Sequence, residues 1–283
     1  MIYCKVQGGL GNQLFQIFAI ISYSIDTSNE FRFIFSELGY RKTYWNNFFD
    51  KLNNYLINNI PIINERINEK NFNYNDLNKN IDLNKNILIN GYYQSYKYFY
   101  NNFNKICEII NLNKSIELFK NNLKYINNNV EYDFSNTISI HFRIGDYKYF
   151  QESHPLINED YYINSLSFII NNTEINNYKI IYFYENLEED FNEVTNKINN
   201  IKKKYPKLNF IKCPNNLKDY EEMLMMSFCS HNIIANSSFS WWGAYLNNNL
   251  NKIVTYPSTW FGENLNSHNL SDLFPNKWIK INI

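Results

Sequence analysis

From residue 137 to residue 256 short apolar runs alternate with segments of helix length. The runs at 137–143, 179–184, 209–212, 233–235 and 253–256 read as strands. Those at 160–170, 187–204, 219–229 and 240–246 read as helices. Alternation of this kind implies βαβ units and therefore a parallel sheet. In open sheets of that class, sites gather at the carboxyl ends of strands. The strand ends are accordingly where chemistry is to be sought.

The run Thr137-Ile138-Ser139-Ile140-His141-Phe142-Arg143 alternates cleanly. Ile138, Ile140 and Phe142 fall on one face, and Ser139, His141 and Arg143 on the other. Gly145 breaks the strand, and Asp146 and Tyr147 follow on the loop. A guanidinium at a strand end suits bidentate contact with phosphate. The plainer alternative is a surface Arg143 paired with Asp146.

A second strand end is Asn236-Ser237-Ser238-Phe239-Ser240-Trp241-Trp242-Gly243-Ala244, after the apolar run 233–235. Strand, Ser-rich turn and helix start form an anion-binding arrangement, because the first N–H groups of a helix lack partners and its dipole favours negative charge. The hydroxyls of Ser237, Ser238 and Ser240 add donors. The plainer alternative is a Ser cap in front of a Trp-rich core helix.

A third is Gly8-Gly9-Leu10-Gly11-Asn12-Gln13, after a strand expected at residues 2–6. Gly9 and Gly11 let backbone approach a ligand. As a dinucleotide fingerprint the run is poor, because Leu14 stands where the third glycine belongs. Asn12 and Gln13 open the following helix, expected over 12–24, so their amides face a cleft, or Asn12 is only its cap.

Together with Gly91-Tyr92-Tyr93-Gln94-Ser95 and Tyr98-Phe99, these stretches resemble, in order and spacing, the α-1,2-fucosyltransferase family, glycosyltransferase family 11. The resemblance runs from about residue 2 to residue 278. It implies an α/β chain of GT-B type, with two Rossmann-like domains facing a central cleft. It further implies a GDP-fucose donor, an oligosaccharide acceptor, inversion at the anomeric carbon and no metal or other cofactor. Two departures stand out. Ile144 occupies a position commonly held by a second arginine, and Tyr182-Phe183-Tyr184-Glu185-Asn186 replaces a Phe-Ser-Asp-Asp-like run.

On this basis residues 1–135 form an acceptor-side domain and 136–283 a GDP-sugar domain, divided in the polar stretch 127–136. A last helix near Trp278 packs back on the first domain. Without a metal, a cation and helix-end donors must take the leaving group's charge. Arg143 is that cation, and Asn236, Ser237, Ser238, Phe239 and Ser240 supply the turn. His141 orients Arg143 or touches phosphate, and Asn12, Gly9, Gly11 and Gln13 contribute from the other domain. Asp146 is the nearest candidate base, though it could instead hold Arg143, or the departing phosphate could take the proton. Asp219 either pairs with guanine or caps its helix.

At 283 residues the chain can hold two ordinary domains. Its net charge is zero, so neither nucleic acid nor an anionic membrane is indicated as a partner. Cys4, Cys107, Cys213 and Cys229 have no metal or redox spacing and read as free thiols in a reducing compartment. With no signal peptide and no apolar run of membrane length, the chain reads as soluble, complete and cytoplasmic. Asn makes up about one residue in five, a bias that suits an AT-rich bacterial, protist or large-virus genome. No Asp-x-Asp occurs, and His154, His231 and His268 are scattered, so no metal is expected. Two rivals remain: the same fold using another GDP- or dTDP-deoxysugar, and a non-catalytic carbohydrate-binding module whose Tyr and Trp stack on sugars.

Overall fold

The computed structural model describes residues 1–36, 41–77, 82, 84–127, 132–173, 175, 177–185 and 188–283. Two compact units emerge: Met1–Asn122 with His268–Pro275, and Leu123–Ser267 with Asn276–Ile283. Part of the polar stretch 127–136, Asn186, and the expected helix start at Leu187 lie outside the described residues.

The first unit holds β1 (Ile2–Cys4), α1 (Leu10–Thr27), β2 (Phe31–Ile34), β3 (Leu56–Ile57), β4 (Glu65–Asn68), β5 (Ile87–Asn90) and α2 (Phe103–Ile109). Its sheet runs β3-β2-β1-β5-β4, with every pairing parallel. The order reverses between β1 and β5, so the crevice at the ends of these two strands is the unit's switch point. α1 is apolar nearly all round and buries every residue from Leu10 to Ser24 except Asn12. Ser28, at φ 54°, ends it with a left-handed cap.

Three features of this unit run against its local sequence. The region 60–86 contains a strand, β4, whose Glu65-Arg66-Ile67-Asn68 is mostly exposed and lacks an apolar stripe. Residues 44–57 carry helical spacing but form only a 3₁₀ turn, Asp50–Tyr55, ahead of β3. Ser115 does not start a helix, because α3 (Leu112–Ile126) begins three residues earlier.

The segment His268–Pro275 belongs to this unit through Asp272. Its carboxylate accepts the Tyr74 N–H at 3.1 Å and pairs with Lys97, and its carbonyl accepts the Ser95 hydroxyl at 2.6 Å.

The second unit holds β6 (Thr137–Phe142), α4 (Glu159–Thr173), β7 (Lys179–Tyr184), α5 (Glu188–Lys204), β8 (Asn209–Lys212), α6 (Asp219–Phe228), β9 (His231–Ile233), α7 (Ser238–Tyr245), β10 (Val254–Pro257) and β11 (Ile279–Ile281). The sheet order is β11-β10-β9-β6-β7-β8, again wholly parallel. Every residue of β6 is buried, as expected of a central strand covered on both faces. Ile138, Ile140 and Phe142 pack with Tyr161, Tyr162, Leu166 and Ile198 of α4 and α5. On the other face Asn232 donates to Ser139 Oγ at 2.7 Å and to the Met226 carbonyl at 2.8 Å.

The expected terminal helix is replaced by β11, which pairs with β10 in the second unit. Trp278, just before it, belongs to the second unit, where its ring lies 5.4 Å from that of Trp241. The aromatic and β-branched character of the short run Trp278-Ile279-Lys280-Ile281 suits a strand better than a helix.

Candidate functional site

The second sheet reverses its order between β6 and β9, and both strands end in motifs singled out from the sequence. After β6, Arg143 is held on three sides. Its Nη2 pairs with Asp146, and its Nη1 donates to Glu185 at 3.0 Å. Its guanidinium carbon also lies 4.6 Å from the centre of the Tyr147 ring. Only 17% of the side chain is exposed.

The loop that carries Arg143 is fixed from beneath by Asp190 of α5, which is fully buried. One carboxylate oxygen accepts the Gly145 N–H at 2.9 Å, and the other meets Lys148 at 2.6 Å. Gly145 sits at φ +39°, and a Cβ there would come within 2.6 Å of Glu185 Oε2, so only glycine fits this turn comfortably.

Tyr147 ties the β6 loop to the β9 loop. Its hydroxyl donates to the Asn236 carbonyl at 3.2 Å, and its ring stacks on His154 at 4.8 Å. Asn236 faces inward: its Nδ2 donates to the carbonyls of Pro155 at 2.9 Å and Trp260 at 3.2 Å. It therefore joins two loops instead of offering its amide outward.

α7 begins two residues earlier than expected, at Ser238, and β9 is likewise displaced, ending at Ile233. Ser237 is its cap, accepting the Phe239 N–H on Oγ at 3.3 Å. The Ser240 hydroxyl is buried and donates to the Ser237 carbonyl at 3.4 Å. The helix itself thus uses the Ser240 hydroxyl as a donor and the Ser237 hydroxyl as an acceptor. Half-buried Ser238 and Phe239 lie in the helix's first turn, at the positive end of the dipole.

His141 points from β6 under Phe239, with ring centroids 5.5 Å apart. Burial, aided by the Arg143 charge, pushes its pKa down to about 3. It is a neutral imidazole near pH 7, and its buried Nδ1 has no hydrogen-bond partner among the described residues.

Asp219 opens α6 after the edge strand β8. Its carboxylate accepts the Tyr220 N–H at 3.0 Å. It is the first helical residue and not the cap, which is Lys218. Glu221 completes the start by accepting the Lys218 N–H at 2.8 Å.

The first unit's switch point carries the Gly loop. α1 starts at Leu10, so its cap is Gly9 and not Asn12. A Cβ on Gly9 would meet nothing within 4 Å, which leaves its backbone approachable. Gly11 is buried in the first helical turn. Gly8, at φ +79°, lies against Asn12, where a Cβ would come within 2.7 Å of Nδ2.

Gln13 does not face a cleft. It is fully buried, and its Nε2 donates to the carbonyls of Gly8 and Lys42, each at 3.0 Å. Gln16 fastens the same loop by bonding both backbone groups of Gln7, at 3.0 and 2.8 Å. Asn12 accepts from Gln94 Nε2 at 2.9 Å, which joins the loops after β1 and β5.

Sequence reasoning assigned no role to Glu185, Asp190, Gln16 or Gln94. Buried Gln16 left a signal, because an amide in the middle of an otherwise apolar helix needs a polar partner. The other three act on residues distant in sequence and left none.

Among the described residues no group of three or more His, Cys, Asp or Glu side chains is placed to hold a metal, and no helix is long and apolar enough to cross a membrane. All four cysteines are buried and free; burial raises the Cys4, Cys107 and Cys229 thiols to about 12, which keeps them protonated.

His231 is structural. Its Nδ1 accepts the Ile253 N–H at 3.0 Å, so the proton of the neutral ring sits on Nε2, 2.9 Å from the Tyr178 hydroxyl. Burial lowers its pKa to about 4. The unfolded chain takes up this proton near pH 6.5, and the folded chain only near pH 4. His141 has the same sign. Stability is therefore full above about pH 6.5 and falls as the pH drops towards 4. A melting series should show that decline, and His231→Gln should flatten it; an unchanged slope counts against a buried neutral His231.

Two parallel α/β units, one with a guanidinium and a helix N-terminus following the two neighbouring strands at its switch point, are the make-up of the GT-B class. The model of glycosyl transferase family 11 matches residues 42–282. The chain belongs to that family and is a glycosyltransferase.

An alpha-1,2-colitosyltransferase of Escherichia coli is 28% identical over 99% of each chain. The O-antigen biosynthesis glycosyltransferase WbnK of Escherichia coli is 32% identical, over 62% of this chain and 51% of its own. Solved structures are more distant. A point mutant of Arabidopsis thaliana FUT1 in complex with GDP shares 11% identity at TM-score 0.48, over 89% of this chain and 69% of its own. The fucosyltransferase NodZ from Bradyrhizobium shares 12% at TM-score 0.48, over 87% and 93%.

Proposed function

We infer that the protein transfers a deoxyhexose from a GDP-sugar to a hydroxyl of an acceptor glycan, with inversion, α-1,2 linkage and no metal. The observation that carries this reading is Arg143 directly after β6, whose neighbour in the sheet, β9, leads into the opening turn of α7. A diphosphate leaving group needs fixed positive charge and N–H donors where its own charge develops. Arg143 supplies the first, and the opening turn of α7, at the positive end of its dipole, the second. Asp146 is assigned to orienting Arg143, with which it pairs. In the first unit, Asn12 and the open backbone of Gly9 are assigned to substrate.

Two donor sugars have support. The family resemblance favours fucose and a galactose acceptor. The full-length relative named a colitosyltransferase favours colitose, which is fucose without its 3-hydroxyl. A carbohydrate-binding module has no need of a cation held at a switch point.

GDP release should be assayed with GDP-fucose, GDP-colitose and a dTDP-deoxysugar. Turnover of a GDP-deoxysugar that persists in EDTA is expected. Turnover of the dTDP-sugar alone sinks the donor assignment; loss in EDTA with rescue by Mg²⁺ or Mn²⁺ sinks metal independence. Should free sugar bind while GDP does not, the protein is a lectin.

A further inference from the structure

Arg143 already has two carboxylate partners, Asp146 and Glu185, before any donor arrives. Lys148 does not relieve the excess negative charge, because it meets Asp190 at 2.6 Å and Glu189 at 3.3 Å. His141, buried and uncharged near neutral pH, adds none. A diphosphate brought to this guanidinium meets a place where carboxylates outnumber the cations paired with them. One carboxylate has to give way.

The two are not equivalent. Asp146 sits three residues from Arg143 on the same short turn and is 38% exposed. Glu185 reaches in from the end of β7, is 49% exposed and has one more rotatable bond with which to swing aside. The turn also leaves room for Glu185 in its docked place, since a side chain on Gly145 would collide with it.

We propose that Glu185 is a displaceable counterion: the donor's diphosphate takes its place on Arg143 Nη1. This rests on the GDP-sugar reading above. Glu185 keeps the guanidinium aimed, so little ordering remains when the donor binds. It also sets a threshold. A diphosphate that gains several contacts displaces it, whereas an anion with fewer contacts does not, and affinity becomes selective for the whole donor.

Glu185→Gln tests this, because the amide oxygen can still accept from Nη1 while the charge is gone. Calorimetric titration at low salt should show GDP binding the variant about 5- to 10-fold more tightly than the parent, the size expected for removing one competing charge near a partly exposed site. In an Arg143→Ala background the same change should bring no gain. A purely structural Glu185 gives unchanged or weaker GDP binding on substitution, and that result overturns the proposal. An equal gain with Arg143 absent overturns it as well, since the charge would then act on GDP directly. A parent chain that does not bind GDP removes the donor reading, and the proposal falls with it.

Discussion

Arg143→Ala is expected to leave a folded protein whose sugar transfer is lost. The guanidinium is mostly enclosed, and it is fixed by Asp146, Glu185 and the Tyr147 ring. On the proposed function, its loss removes a charge-assisted contact to a leaving group that becomes more negative in the transition state. That costs about 3 kcal/mol or more, upwards of a hundredfold in rate. The fold should survive, because the two carboxylates left behind are 38% and 49% exposed and can turn to water. Arg143→Lys should recover only part of the activity, since a point charge cannot span two oxygens as the planar fork does. Steady-state kinetics beside a melting curve decide the matter. Activity within a few-fold of the parent, in a folded variant, removes Arg143 from the mechanism.

Ser238→Asp is expected to move stability and binding in opposite directions. Ser238 is the first residue of α7. A carboxylate in a first turn favours the dipole by a few tenths of a kcal/mol to about 1 kcal/mol, so the melting temperature should hold or rise slightly. The same carboxylate, set where the donor's phosphates are proposed to lie, should weaken GDP by at least about tenfold through like-charge repulsion in a partly desolvated place. Ser238→Ala should cost only about 1 kcal/mol of GDP affinity, because backbone N–H groups remain. If calorimetry finds GDP bound to Ser238→Asp as tightly as to the parent, the turn is a helix start and nothing more.

The strands that carried chemistry were legible because central parallel strands are nearly all apolar and end at a Gly or a polar cluster. β6 ends one residue short of the expected Arg143, and β7 and β8 match residue for residue. The edge strands β3, β4 and β11 were not legible, although β8, also an edge, was. β4 buries little, and an exposed parallel edge needs no apolar pattern to pair with β5. Within the site, Arg143 with Asp146, and the turn at Ser237, could be read because each motif is local. The pairing of Arg143 with Glu185 spans 42 residues, and that of Gly145 with Asp190 spans 45. Only the strand order brings such residues together. Gln13 and Asn236 were misread for another reason: an amide at a loop can serve a ligand or the loop's own carbonyls, and composition does not distinguish these uses.

Asp272 has a consequence for how the chain reaches its native state during synthesis. The Tyr74 N–H, the Ser95 hydroxyl and Lys97 all wait for a residue that the ribosome adds almost 200 positions after Tyr74. Domains ordinarily complete themselves in the order in which they emerge. Here the earlier unit stays unfinished until the later one has been made, so the last part of translation closes both.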